Sequence, residues 1–327
     1  MTKSERIALA AGFAILLAGA PPVAAQPYPN KPVKVVVSHA AGSSPDVVAR
    51  IATDRLAQRL SQTFIVENKV GANGSLAVEA VSRAPADGYT LLVAGSSIMA
   101  TNPYLYPKTS AAILSGLTPV TKLTNLDFVL AVRSSLGIRT FQELIAYIRA
   151  NPGKLNLATT NIGSFQNLGA ELLKQQGNLD FKTIPYNGGA AAAAAVAGGH
   201  VDMLIDAGGI VAPLAQSGAL TVVATTGAAR AANLPAVPTI AESGFPGYRV
   251  DGWIGMVAPA GTAPDIMLRL QSNVAAAFNE EATKAQLQKL DLTPVANTPA
   301  EFAKELDRER EVWKGVIARL GLTLEQQ

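Results

Sequence analysis

One stretch near the N-terminus has the pattern of a buried strand, a loop of small residues and the start of a helix. Val33–Val37 is almost wholly apolar, and residues 38–44 are mostly small and polar. Pro45 suits the first turn of a helix that we expect to reach Leu60, with Ser44 as its N-cap. A strand that runs through a short loop into a helix is the repeating unit of parallel α/β folds. Such a loop also points backbone N–H groups and the positive end of the helix dipole at one place, which favours a bound anion.

The same alternation of apolar strands and helices recurs along the chain. Further strands are predicted at residues 64–67, 89–94, 128–132, 155–158, 181–184, 203–205 and 220–224. Helices are predicted at residues 75–82, 140–151, 165–176, 190–197, 262–290 and 298–320, and three of these open on a Thr cap with an acid three residues later. Strands separated by helices indicate an α/β fold whose sheets are mainly parallel.

The first residues have the pattern of an export signal. Lys3 and Arg6 precede an apolar run over residues 7–20, and residues 23–25 form a small-x-small cleavage site. We therefore predict that residues 1–25 are a cleavable signal peptide and that the protein is exported. The apolar run is short for a membrane span, so an uncleaved anchor is the less favoured alternative.

Composition excludes several classes of protein. The chain has no cysteine, which excludes disulfides, thiolate zinc sites and cysteine nucleophiles. Loss of Lys3, Arg6 and Glu5 with the signal peptide leaves 25 of the 27 basic and 23 of the 24 acidic residues. The resulting net charge of +2 is too small and too scattered for a nucleic-acid binder. About 300 mature residues exceed what one core usually supports, so two domains or lobes are expected.

The chain lacks the common signatures of catalysis and cofactor binding. It contains no G-x-S-x-G elbow, P-loop, G-x-G-x-x-G fingerprint or H-E-x-x-H pair, and its acidic residues show no metal-ligand spacing. Of the two histidines, His200 follows a Gly-Gly turn and is expected to be structural or solvent-facing. His39 lies in the first loop, where it contacts a ligand or simply fills the loop; a catalytic base is the least favoured role, because no local signature supplies a nucleophile. We therefore predict no catalytic residue, no cofactor and no metal site.

Four strand-end loops are rich in Gly, Ser, Thr and Asn. Ligands of open α/β sheets bind beyond the carboxyl ends of the strands, where N–H and hydroxyl donors can hold a carboxylate. Turn formation alone explains any single loop, but four such loops predict a ligand cleft. The candidate ligand-binding residues are Ser38, His39, Ala41, Gly42, Ser43, Ser44, Asp46, Ser96, Ser97, Thr159, Gly163, Ser164, Asn187, Gly188 and Asp206. Asp206 ends a predicted strand, where a carboxylate can recognise an amine or a hydroxyl of a ligand or cap the next helix.

Short motifs spread over nearly all of the mature chain resemble those of one known family. They are Tyr28-Pro29, Gly42 to Asp46 followed by Ala49-Arg50, Val66-Glu67-Asn68, Asp87-Gly88-Tyr89-Thr90, Asn151-Pro152-Gly153, Pro185-Tyr186, Val201-Asp202, Ala241-Glu242-Ser243-Gly244 and Ala258-Pro259-Ala260-Gly261. In this order and spacing, they are similar to the periplasmic solute receptors of tripartite tricarboxylate transporters, often called Bug receptors.

The resemblance implies a type II periplasmic-binding-protein fold, in which two α/β lobes have a ligand cleft between them. We expect lobe 1 to comprise residues 26–124 and 250–327, and lobe 2 to comprise residues 125–249. The resemblance further implies that the protein binds a small carboxylate by hinge closure and delivers it to integral-membrane permease subunits. The chain is accordingly expected to be a monomeric periplasmic receptor and not an enzyme.

The chain departs from the family pattern within the candidate site. His39 stands where the family usually has Phe, Ser43 replaces the second Gly of the first loop, and Asn187 stands where Lys is common. These departures leave the identity of the cargo open. A histidine at position 39 is expected to add a polar or pH-dependent contact near physiological pH.

Two other functions stay open on the sequence. A ligand-loaded sensor that docks on a histidine-kinase ectodomain would have the same cleft and would differ in its docking surface. A periplasmic hydrolase needs a nucleophile and a base, which the motifs do not supply.

Overall fold

The computed structural model of the chain describes residues 28–106, 113, 115–231 and 233–324. The predicted signal peptide, residues 1–25, lies outside this part. Residues Lys31–Gln327 form one unit, and Met1–Asn30 form another, of which Tyr28 to Asn30 are described and contain a cis Tyr28–Pro29 bond. Across the described ranges, none of the helices is long and apolar enough to span a membrane.

The described elements alternate between strands and helices for most of the chain. The strands are β1 Val33–Val37, β2 Phe64–Asn68, β3 Thr90–Gly95, β4 Leu117–Leu126, β5 Phe128–Arg133, β6 Asn156–Thr159, β7 Lys182–Pro185, β8 Met203–Ala207, β9 Leu220–Thr225, β10 Gly252–Pro259 and β11 Leu292–Pro294. The α-helices are α1 Ser44–Leu60, α2 Ser75–Ser82, α3 Ser96–Ala100, α4 Asn102–Leu105, α5 Phe141–Ala150, α6 Phe165–Gly177, α7 Gly189–Ala197, α8 Gly208–Gln216, α9 Pro264–Phe278, α10 Glu281–Gln288 and α11 Pro299–Leu320. Each strand predicted from the sequence is present, with bounds that differ by one or two residues.

The first sheet has the strand order β11-β4-β10-β3-β1-β2. Its parallel part is β3-β1-β2, in which Val35 lies opposite both Leu91 and Val66. Strand β10 is antiparallel to β3 and β4, and β11 is antiparallel to β4. The prediction of mainly parallel sheets was therefore wrong for this sheet, because the three antiparallel strands β4, β10 and β11 were not recognised in the sequence.

The second sheet has the order β7-β6-β8-β5-β9. Strand β6 is parallel to β7 and β8, whereas β5 is antiparallel to β8 and β9. This sheet is also mixed, because β5 enters directly from the first sheet and runs against its neighbours. The chain passes from β4 to β5 through the single residue Asp127 and returns through the segment that precedes β10.

The two passages between the sheets are joined by Thr226. The Thr226 N–H donates to the Phe128 carbonyl at 3.0 Å, and its hydroxyl donates to the Val250 carbonyl. The Val250 N–H donates back to the Thr226 carbonyl at 2.8 Å. Thr226 is completely buried, so these bonds are shielded from competing water.

One apolar core extends through both sheets. It includes Val36 and Leu92 from the first sheet and Leu157 and Ile205 from the second. Aromatic pairs reinforce it at three places, Phe141 with Phe245, Phe165 with Trp313, and Trp253 with Phe302. The pair from α6 and α11 joins the C-terminal helix to a helix of the second sheet, with ring centroids 4.6 Å apart.

The predicted helix ends were partly right. The capping boxes at Thr140–Glu143 and Thr298–Glu301 are both formed. The N-cap of α1 is Ser43 and not Ser44, because the helical conformation already begins at Ser44.

The helix predicted over residues 262–290 is two helices, α9 and α10, because Glu280 adopts an extended backbone conformation. The residue before α9 is Ala263, and the Thr262 hydroxyl donates to the Pro259 carbonyl instead of capping the helix.

Glu309 of α11 lies against β10, where the Trp253 Nε1–H donates to its carboxylate at 2.6 Å. Burial raises the pKa of Glu309 to about 8, and the nearby Asp251 adds to this shift. The unfolded chain has the ordinary pKa of 4.5 for this group. The folded state therefore keeps a proton that the unfolded state loses as the pH rises from about 4.5 to about 8.

We predict that the stabilising effect of this proton is complete below pH 4.5 and is lost as the pH rises through about 8. Glu309→Gln, which is neutral at every pH, should flatten this dependence and stabilise the protein at pH 9 by about 1 kcal/mol or more. The free energy of unfolding of both proteins is measured by urea titration at pH values from 4.5 to 9. Glu281→Gln is the matched control, since that side chain is 91% exposed. A pH profile for Glu309→Gln that matches wild type would contradict the assignment.

Candidate functional site

Three parallel strands of the first sheet end at one edge. Strand β1 lies between β3 and β2, so the loops that follow Val37, Asn68 and Gly95 are neighbours. The loop after β1 carries most of the candidate residues, and α3 begins directly after β3. This edge is where ligands bind in open α/β sheets.

His39 lies at the centre of this edge. Its Nδ1 shares a hydrogen bond of 2.9 Å with the Ser38 hydroxyl, and its carbonyl accepts from the Asn68 side chain. The ring lies over Gly95, where an added Cβ would be 3.3 Å from the imidazole Cε1. Burial lowers the pKa of His39 to about 4. The imidazole is therefore neutral at physiological pH, and the expectation of a pH-dependent contact in that range was wrong.

Asp46 fixes the shape of the first loop. Its carboxylate accepts from the Gly42 N–H at 2.9 Å, from Asn68 at 2.8 Å and from the Arg50 guanidinium at 3.0 Å. Burial raises the pKa of this carboxyl, but the hydrogen bonds outweigh burial and hold the pKa below its usual value. Both oxygens accept from protein donors, so Asp46 holds the loop in shape.

The remaining candidates of the first loop are small and accessible. Ala41 and Gly42 are exposed, and Gly42 adopts a φ of +80° that its missing side chain permits. The Ser43 hydroxyl donates to the Ala40 carbonyl, which leaves the hydroxyl oxygen free to accept. Ser44 is the first residue of α1, so its N–H group lies at the positive end of the helix.

Ser96 and Ser97 are not in a loop but open the short helix α3. Ser96 is buried beside Gly252, where an added Cβ would be 3.4 Å from its hydroxyl. The Ser97 carbonyl accepts from the Thr101 hydroxyl at 2.7 Å. Ser96 thus lies next to the second passage between the sheets.

Three parallel strands of the second sheet also end at one edge. The order β7-β6-β8 brings the loops after Pro185, Thr159 and Ala207 together. Thr159 is fully buried, and its hydroxyl has no hydrogen-bond partner in the part of the chain that the structure describes. An unpaired hydroxyl at a strand end is suited to a ligand or an ordered water.

Gly163 and Ser164 have structural contacts. The Ser164 hydroxyl caps α6 by accepting from the Asn167 N–H, and the Gly163 N–H donates to the Asn167 side chain. Gly163 also fits closely against Leu105, since an added Cβ would be 2.7 Å from the Leu105 Cδ1. Asn187 and Gly188 differ from them, because both are exposed ahead of α7.

Asp206 lies at the end of β8 and is 1% exposed. Its Oδ1 accepts from the Ala207 N–H at 2.7 Å and from the Gln166 side chain at 3.4 Å. Its Oδ2 is buried and has no hydrogen-bond partner among the described residues. Burial raises the pKa of Asp206 to about 6, whereas the two hydrogen bonds lower it.

The loop edges of the two sheets touch one another. The Thr101 hydroxyl lies 3.3 Å from the Gly163 carbonyl, and Leu105 packs against the same glycine. Sequence reasoning missed Thr101, Gln166 and the role of Asn68, because each lies outside the Gly-rich loops. Asn68 was quoted within a family motif, which was the available signal for it.

Within residues 28–106, 113, 115–231 and 233–324, no group of three or more His, Asp and Glu side chains is arranged to hold a metal ion. The polar groups at both edges are instead N–H groups, hydroxyls, side-chain amides, one neutral imidazole and the buried carboxyls of Asp46 and Asp206. This set is suited to hydrogen bonding with a small polar molecule.

Comparison with known proteins agrees with this geometry. A family model described as the tripartite tricarboxylate transporter family receptor matches residues 48–322. BugT of Bordetella pertussis is 32% identical over 321 residues, which cover 98% of each chain.

Two solved structures match along nearly their whole length. R. palustris Rpa4515 with adipate has a TM-score of 0.84 at 30% identity, covering 90% of this chain and 99% of its own. MatC from Rhodopseudomonas palustris with bound malate has a TM-score of 0.79 at 30% identity, covering 89% and 100%.

Solved periplasmic binding proteins thus share the architecture of this chain, which confirms the predicted type II periplasmic-binding-protein fold with two α/β lobes. The matching proteins are substrate-binding receptors and not enzymes, as the sequence predicted. The chain belongs to the tripartite tricarboxylate transporter receptor family.

Proposed function

We propose that this protein is a periplasmic receptor that captures a small organic acid between its two lobes and delivers it to integral-membrane permease subunits of a tripartite transporter. The observation that carries the proposal is the meeting of two strand-end edges, at Thr101 and Gly163, in a member of this receptor family. Each edge supplies neutral hydrogen-bonding groups, which can hold a carboxylate without a full counter-ion. The receptor acts as a monomer, and its export depends on residues 1–25.

The lobes of the proposal follow the boundaries expected from the sequence. Lobe 1 comprises residues 26–124 and 250–327, and lobe 2 comprises residues 125–249. The strands of the first sheet lie in lobe 1, except for the last residues of β4, and the strands of the second sheet lie in lobe 2. The segments around Asp127 and Val250 then form the hinge, with Thr226 between them.

The cargo of the proposal is a mono- or dicarboxylate of a few carbons. Two relatives about 30% identical to this chain were solved with the dicarboxylates adipate and malate. In lobe 1 the ligand-facing residues are Ser38, His39, Ala41, Gly42, Ser43, Ser44, Ser96 and Ser97. In lobe 2 they are Thr159, Asn187, Gly188 and Asp206. Asp46, Gly163 and Ser164 hold the loops in position.

Capture proceeds by a shift of population between open and closed states. A ligand that contacts both edges in the closed state, and one edge in the open state, stabilises closure by the difference in its affinity. The cleft needs no catalytic group for this purpose, which agrees with the lack of a nucleophile–base motif in the sequence.

We expect a thermal-shift screen of residues 26–327 against mono-, di-, tri- and aromatic carboxylates to give hits confined to one class of acid. A ligand at 100 times its Kd adds about 2.7 kcal/mol to the free energy of unfolding. For a chain of this size, this raises Tm by about 2–4 °C per kcal/mol. Neutral amides of the same acids are the matched controls.

A blank screen is repeated after unfolding and refolding, which removes any ligand carried through purification. If no carboxylate stabilises the refolded protein, the proposed function is wrong. Stabilisation by the amides as strongly as by the acids would remove the argument for a carboxylate.

Replacing His39 by Phe should change the order of affinities within the ligand panel. The neutral imidazole supplies one hydrogen-bonding edge beside the Ser38 hydroxyl, and Phe supplies none. We expect a loss of about 1 kcal/mol, or about fivefold in Kd, for acids that contact this edge. Calorimetric titration of both variants with the screened acids measures it, with His200→Phe, an exposed histidine, as control. Equal affinities across the panel would show that His39 makes no ligand contact.

A further inference from the structure

Asp206 lies where the three loops of the second edge converge. Gln166, in the first turn of α6 after β6, contacts its Oδ1. Gly189, at the start of α7 after β7, lies against its Oδ2, since an added Cβ would be 2.4 Å from that oxygen. Asp206 itself is the next-to-last residue of β8. One ionisable group is therefore in contact with the loops of all three parallel strands.

The two oxygens of this carboxyl differ in their surroundings. Oδ1 accepts from the Ala207 N–H and from the Gln166 amide. Oδ2 is shielded from solvent and accepts no hydrogen bond from any residue that the structure describes. A buried acceptor without a donor costs about 1–3 kcal/mol, and more when it is charged. The protein thus retains an unpaired acceptor at the edge where the cargo is expected.

Helix capping does not explain the orientation of this carboxyl. A capping side chain accepts from the second or third N–H group of its helix. Helix α8 has Ala207 as its N-cap and no side-chain cap, and Asp206 bonds to the N–H of Ala207 itself. The alternative role that the sequence left open for Asp206, a cap of the following helix, was therefore wrong.

The segment that covers Oδ2 is built from glycines. Gly188 is exposed and has a φ of +103°, and nothing lies within 4 Å of the position that a Cβ would take there. A side chain at position 189 would collide with the carboxyl. Gly188 therefore supplies a backbone conformation that other residues rarely adopt, and Gly189 lets the loop approach the carboxyl closely.

We propose that Asp206 Oδ2 accepts a hydrogen bond from a hydroxyl or ammonium group of the cargo, so that the receptor prefers hydroxy or amino acids over unsubstituted acids of the same length. The inference rests on the proposed function, because it assigns a second polar group to the carboxylate cargo. A site built around an acceptor discriminates strongly against an analogue that lacks the donor, since the acceptor then stays buried and unpaired. One relative was solved with malate, which carries a hydroxyl, and another with adipate, which does not.

The experiment compares acids that differ in one substituent. Calorimetric titration uses succinate, malate and aspartate as a four-carbon series, and adipate, 2-hydroxyadipate and 2-aminoadipate as a six-carbon series. In the series that binds, we expect the wild type to bind a donor-bearing acid about 10- to 100-fold more tightly than the unsubstituted acid. In Asp206→Asn the amide oxygen keeps the bond from the Ala207 N–H, so the NH2 group, which is a donor, replaces the acceptor Oδ2. This change should reduce the ratio to within about threefold.

The matched control is Asp180→Asn. Asp180 is exposed and precedes β7 at the opposite end of the same sheet, so this change removes one negative charge without touching the edge. The control should keep the wild-type ratio of affinities. Circular dichroism and thermal melting establish that each variant is folded before titration.

Two outcomes overturn the inference. One is equal affinity of the wild type for substituted and unsubstituted acids, and this measurement stands even if Asp206→Asn fails to fold. The other is a folded Asp206→Asn variant that keeps the wild-type ratio, including one that binds every acid more weakly by the same factor, which would make Asp206 a structural residue. Failure of these acids and of every other carboxylate in the thermal-shift panel to bind the wild type would instead contradict the proposed function, and the inference with it.

Discussion

The hydrogen bonds of Thr226 hold together the two segments by which the chain passes between its sheets, and the placement of both loop edges depends on this junction. The carbonyls of Phe128 and Val250 are each bonded to this one buried residue. A core that extends from Val36 to Ile205 supports the junction on either side. A small rotation about a few backbone bonds at this junction can then bring both edges into contact with one ligand. Hinged domains close in this way.

The chemistry of the two edges is consistent with capture and release of a small acid. The Asp46 carboxylate accepts hydrogen bonds from Gly42, Asn68 and Arg50. Burial keeps the imidazole of His39 neutral and raises the pKa of Asp206. Neutral donors bind an anion less tightly than a buried ion pair and avoid the large cost of desolvating a permanent cation. Moderate affinity suits the function that we propose, in which the receptor releases its cargo to a permease.

Much of the fold was accessible from the sequence, because its signals are local. The apolar run Val33–Val37 predicts strand β1, and the capping box at Thr298 predicts the start of helix α11. The family motifs predicted the architecture. Strands β4 and β10 were missed for physical reasons. Strand β10 is buried along its whole length and contains two glycines, so it shows neither alternation nor high strand propensity.

Most of the candidate residues do lie at the two edges. The division into ligand-facing and positioning residues that we propose was not predictable, because it depends on contacts between distant segments, such as Thr101 with Gly163.

The most direct test of the account is a crystal structure of the mature protein with the acid that binds most tightly. We predict that the acid lies between the sheets and accepts hydrogen bonds from the loop after β1 on one side and from the loops after β6 and β7 on the other. An acid held by one sheet alone would contradict capture by closure. So would an acid bound elsewhere, for example in the pocket that Ile145 and Arg149 of α5 form with Phe245.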